Sequence, residues 1–179
     1  YGIPFKSGLV ETGVVGLIKG KKPNSKCIAL RADIDALPIQ ELNDFDYTSK
    51  NIGIMHACGH DVHTASLLGV GRILNELKEE WEGTIKLIFQ PGEEKLPGGA
   101  SLMIAEGVLE NPKVDKIIGQ QNVSKKEKRK IYSNRYWKIS SAYITKEVQR
   151  KYLYQVSYHQ GEVLFFLISS LNKSDIKKY

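Results

Sequence analysis

Cysteine is scarce in this 179-residue chain: there are two, Cys27 and Cys58. Two thiols cannot build the disulfide framework that staples small secreted domains, so a reducing cytoplasm is the expected setting and a packed core must supply the stability. Long apolar runs are also missing. The longest, Val163 to Ile168, falls far short of the roughly 20 residues a helical membrane span needs, so no membrane partner is expected. The opening Tyr1-Gly2-Ile3-Pro4 has neither a charged start nor an apolar run, so no signal peptide is expected there. It also lacks a Met, which places the expected natural start upstream.

Hydrophobic residues at 41% and charged residues at 26% fit a folded globular chain rather than a disordered one. The net charge of +6 conceals a division. Residues 1–120 hold 13 Lys+Arg against 16 Asp+Glu, whereas residues 121–179 hold 13 against 4. Fifteen of the sixteen glycines precede residue 121, and seven of the nine tyrosines follow it. A boundary is therefore expected near residue 120, with a basic tail at 121–179. Lys125, Lys126, Lys128, Arg129 and Lys130, interleaved with Tyr132, Tyr136 and Trp137, resemble a nucleic-acid arm in composition. A charge run is more often a solvated face, so nucleic-acid binding ranks behind the reading developed below.

Before that boundary, Gly13–Lys19 and Lys26–Arg31 read as β-rich runs around a Gly-Pro-Asn loop, and the pair is expected to form an antiparallel hairpin. Asp61 is placed to cap a helix running to about Lys78, through Val62, Ala65, Leu67, Leu68, Ile73, Leu74 and Leu77. Thr84–Phe89 alternates as a half-buried strand would. A short helix over Ala100–Glu106, closed by Gly107, and a strand over Val114–Ile118 follow. Strands alternating with helices predict an α/β domain, a mixed central sheet with helices packed on it. In such folds ligands gather beyond strand ends.

Three of the four histidines crowd into His56-Ala-Cys58-Gly-His60-Asp61-Val-His63, just before the expected helix. Thiolate, imidazole and carboxylate in so short a stretch are the donor types of zinc, manganese, cobalt or nickel. Cys58 and His60 can turn to one ion only if Gly59 allows a tight bend. His56 and His63 are weaker candidates. The bland alternative is a set of polar residues at a helix start, with Cys58 serving as a small hydrophobe.

Phe89-Gln-Pro-Gly-Glu93-Glu94 ends a strand on two adjacent acids that point apart. One can bind a cation while the other acts as base toward a water. Arg31-Ala-Asp33-Ile-Asp35-Ala-Leu-Pro38 sets two acids at i and i+2, on one side of an extended chain, where they could share an ion or orient an imidazole.

Taken in order, RADIDALP (31–38), MHACGHD (55–61) and FQPGEE (89–94) resemble the motifs of the amidohydrolases that include N-acyl amino acid amidohydrolases, hippurate hydrolase and plant auxin-conjugate hydrolases. The likeness runs from about Tyr1 to Gln120 and takes in GGASLMIAEG (98–107). It implies a zinc-peptidase-like catalytic domain, here incomplete, that hydrolyses N-acyl amino acids with two divalent ions. Cys58, His60 and Glu94 match metal ligands, Glu93 the general base, Asp35 an acid near the metals, and Asp33 a weaker one.

There are departures from that pattern. The resemblance implies a ligand His soon after Ile117-Ile118-Gly119-Gln120, where this chain has Gln121-Asn122. It also implies a Gly-His-Gly lid that helps bind substrate and usually mediates dimerisation, and a final ligand His. Nothing in 124–179 matches either, His159 included. The tail is therefore expected to be the product of a shifted or truncated reading frame, and turnover by this chain is expected to be weak or absent.

Overall fold

The computed structural model describes residues 1–119 and the backbone of a short strand at 153–155. Gln121, Asn122, His159 and the basic cluster at 125–130 lie outside the described residues. Among the described residues, no helix is long and apolar enough to cross a membrane.

The chain forms β1 (Phe5–Leu9), β2 (Gly13–Lys19), β3 (Cys27–Asp33), α1 (His60–Glu76), β4 (Thr84–Gln90), α2 (Gly99–Ala105), β5 (Lys116–Gly119) and β6 (Leu153–Gln155). The strands make one mixed sheet in the order β1-β2-β4-β3-β5-β6. This is the expected α/β architecture, but the expected hairpin is not there. β2 and β3 do run antiparallel, yet β4 lies between them, antiparallel to β2 and parallel to β3.

The reason lies in burial. Six of the seven β4 residues are buried, so both of its edges and both of its faces need partners. The loop after β2 therefore passes over the start of β4. Gly83 N–H bonds Lys21 O at 2.8 Å, Gly20 N–H bonds Gly83 O at 3.0 Å, and Thr84 Oγ1 donates to Pro23 O at 2.8 Å. Gly83 has φ 105°, and a Cβ there would fall 2.8 Å from Lys26 O, so this crossing requires glycine. The true hairpin partner of β2 is β1, whose residues are exposed except Leu9 and so carry no apolar period to read.

Side chains alternate across the sheet. Ile85 and Leu87 join Ile18, Ala32 and Leu67 on the α1 face. Ile88 joins Ala29, Met103, Val108, Val114 and Ile117 on the α2 face. Lys86 also points to the α2 side, which corrects the half-buried reading of β4. It is 1% exposed, and its Nζ donates to the carbonyls of Val108, Glu110 and Pro112 at 2.7–2.9 Å. Because burial disfavours its charge, its pKa is lowered.

Between β3 and α1 the chain has no helix or extended strand, only a Leu37–Met55 bridge. Around it Leu42, Tyr47 and Ile52 are exposed, with Phe45 stacked on Tyr47.

Candidate metal centre

β3 and β4 are parallel, with Asp33 opposite Gln90, so both strands deliver their acid motifs to one end of the sheet. Ile34 N–H bonds Gln90 O at 2.9 Å, which holds the two exits together. Beyond β4, the acid-bearing turn is closed by Gly99 N–H bonding Gly92 O at 2.9 Å. A Cβ on Gly99 would sit 1.6 Å from Pro91 O, so no other residue allows that approach.

The helix start comes to the same end. Gly59 takes φ 80°, the left-handed bend that Cys58 and His60 need to face one point. Gly59 itself occupies the N-cap position and α1 has no side-chain cap, so Asp61 lies in the first turn as an exposed acid rather than as the expected cap.

Among the described residues two groups of donors result. Cys58, His60 and Glu94 present ligand atoms within 4.8 Å of one another, and so do Asp33, His60 and His63. His56 belongs to neither and is exposed. Asp35 ties the first group together: its carbonyl oxygen accepts from His60 Nδ1 at 3.0 Å and its Oδ2 accepts from Glu94 N–H at 3.1 Å. Asp35 Oδ1 lies 3.2 Å from the same Nδ1, but one ring proton serves one acceptor, and this buried oxygen has no hydrogen bond.

With Nδ1 donating, His60 Nε2 presents a lone pair, 3.7 Å from Asp33 Oδ2 and 4.0 Å from Glu94 Oε1. Nitrogen and oxygen donors about 2.0–2.2 Å from a tetrahedral ion stand roughly 3.5 Å apart, so these separations suit a divalent cation with little movement. An orphaned acid oxygen beside a soft thiol and an imidazole also fits zinc, cobalt or manganese chemistry.

The electrostatics are those of crowded anions. Partial desolvation, then the bond to Glu94 and the charges of Glu94, Glu93 and Asp33, push the Cys58 thiol up to about 12. Burial and then the Glu94 charge raise the Glu93 carboxyl above its ordinary range. Burial pushes Asp33 up too, but the hydrogen bond from His63 and the charge of Arg31 outweigh it, and its pKa is lowered.

Asp33 and His63, weak candidates by sequence, form the shortest contact here, Oδ1 to Nδ1 at 2.6 Å, with both residues buried. The i, i+3 spacing of His60 and His63 already set both on one helix face. Their common partner on β3 could not be read from spacing.

Such a fold and donor set define a class: an open α/β domain whose parallel strand ends carry a cation-type cluster. The sequence profile of the peptidase family M20/M25/M40 matches residues 29–163, and the chain belongs to that family. It is 47% identical over 121 residues to an N-acyl-L-amino acid amidohydrolase of Geobacillus stearothermophilus, covering 68% of this chain and 32% of that protein. It is 48% identical over 113 residues to an N-acetylcysteine deacetylase of Bacillus subtilis, covering 63% and 29%. Among solved structures, a dinuclear metal-binding peptidase of the same family from Bacillus subtilis superposes with a TM-score of 0.63 at 44% identity, over 69% of this chain and 34% of that one. The chain thus spans about a third of the length of the curated relatives it matches.

Proposed function

We propose that this chain carries the metal-holding part of an amidohydrolase that cleaves the amide bond of N-acyl amino acids. The observation behind this reading is the convergence of Cys58, His60 and Glu94, with Glu93 beside them in the sequence. The names of the relatives support the substrate class, and the dinuclear relative supports two divalent ions as cofactors, manganese, zinc, cobalt or nickel.

In this reading Cys58, His60 and Glu94 would hold a cation, which when bound supplies Lewis acidity toward a carbonyl oxygen and a water. Asp35 fixes the His60 ring and the Glu94 backbone. Glu93 takes a proton from the attacking water as the new C–O bond forms. It gives that proton to the nitrogen as the C–N bond breaks, so an acid and a free amino acid leave and Glu93 is regenerated. Its raised proton affinity suits that role.

A second reading, cation binding without turnover, is favoured by Gln121-Asn122, where the resemblance calls for a ligand His. One experiment separates the two. Purified chain is loaded with manganese, zinc or cobalt and assayed on N-acetyl and N-benzoyl amino acids. Hydrolysis lost in Glu93→Gln supports the first reading, and bound metal without hydrolysis supports the second.

We also propose that residues 1–120 are the metallohydrolase part and that 121–179 is a basic tail, for which nucleic-acid binding ranks behind the hydrolase reading. Cys27 and Cys58 are both free thiols, which favours the cytoplasm.

A further inference from the structure

His60 stands in both donor groups, but only its Nε2 is available, because Nδ1 is taken by the Asp35 carbonyl. The two groups are not equivalent. Asp33 is already committed: Oδ1 lies 2.6 Å from His63 Nδ1, and Oδ2 accepts from Arg31 Nη1 at 2.8 Å. Arg31 is held in turn by Gln90 Oε1, 2.7 Å from its Nε, and Thr64 Oγ1 donates to the Asp33 carbonyl oxygen at 3.1 Å.

A guanidinium keeps its proton at any accessible pH. A divalent ion bound to Asp33 Oδ2 would therefore face a fixed positive charge across one oxygen, in a pocket where Asp33, His60 and His63 are each at most 3% exposed. Among the described residues Glu94 forms no ion pair with a lysine or arginine, and its side chain is 38% exposed, open to an arriving ion.

We propose that Asp33 and His63 are positioning residues and not ligands. Locked to each other and to Arg31, they form the wall against which the His60 ring stacks, centroids 5.7 Å apart at 26°, and they keep Nε2 available to Cys58 and Glu94. His63 keeps this bond although its own Nε2 is buried without a partner. The inference rests on the metal reading above, and it selects the exposed donor group over the buried one.

Cobalt(II) titration of the whole chain tests it, with the ion count and the Cys58 thiolate-to-cobalt absorption band as readouts. His63→Leu removes the donor to Asp33. It should weaken cobalt binding by about 10–100-fold, the usual effect of losing a partner behind a ligand, while the saturating ion count and the band stay as in the wild type. His63→Asn keeps a donor near the place of Nδ1 and should restore most of the affinity. Loss of a whole ion in both variants would make His63 a ligand and overturn the proposal, as would wild-type affinity in His63→Leu. If the Leu variant does not fold, the Asn variant decides: a full ion count and band support positioning, and a missing ion contradicts it. Absence of any cobalt uptake by the wild type would instead overturn the metal reading, and with it this inference.

Discussion

Asp33 and Gln90 stand opposite each other at the carboxyl ends of two parallel strands, and Arg31 joins them by donating to both side chains, at 2.8 and 2.7 Å. This register fixes the site. One residue beyond β3 the chain turns toward Asp35 and His60, and beyond β4 it turns toward Glu93 and Glu94, so the two acid motifs meet at one end of the sheet. A slip of one residue in the β3–β4 ladder would send Asp33 to the other face.

Asp33 gives a pH-dependent stability. Its folded pKa lies below its ordinary value, so its contribution is complete above the unfolded value and is lost as pH falls through the folded one. Removing one member of a buried pair costs on the order of 3–5 kcal/mol. In metal-free protein, Asp33→Asn should therefore be much less stable than wild type in urea at pH 7. The gap should narrow as pH drops below about 4, where unfolded carboxylates protonate.

Lys86 is buried among three carbonyl oxygens of the segment before β5. Lys86→Met fills a similar volume but leaves those acceptors unpaired, at about 1–3 kcal/mol for each that water cannot reach. A lower urea midpoint is expected, with metal uptake unchanged, because the residue lies on the α2 face. Hydrogen exchange should show the loosening first at residues 108–114.

Glu93 is assigned as base and not as ligand. Glu93→Gln should cut kcat for N-acyl amino acid hydrolysis by about 10²–10⁴-fold, the usual worth of a positioned base. Elemental analysis of the same sample should find its metal content at the wild-type level.

Much of this site was legible in the sequence because its donors sit in short local motifs. Gly59 between Cys58 and His60 predicts the bend that is found, and Glu93-Glu94 after a strand predicts paired acids at a strand end. The strand order was not legible. Nothing in Gly13–Lys19 or Cys27–Asp33 tells that a strand 50 residues later separates them; that follows from the need of β4 for two neighbours. A half-buried strand over Thr84–Phe89 would leave Lys86 in solvent, because charge alternating with apolar residues looks alike whether the lysine meets water or carbonyls. Asp33 and His63, 30 residues apart, pair only once α1 is laid on the sheet.

The most direct test of the central claim, that Cys58, His60 and Glu94 hold a divalent cation, is cobalt affinity measured against pH. The metal-free thiol is pushed up to about 12, so binding as thiolate must release its proton. Between pH 6 and 8 the affinity of the wild type should rise by about tenfold per pH unit, and Cys58→Ala should bind more weakly and lose that proton from the slope. Equal affinity and equal slope in the wild type and Cys58→Ala would contradict the assignment.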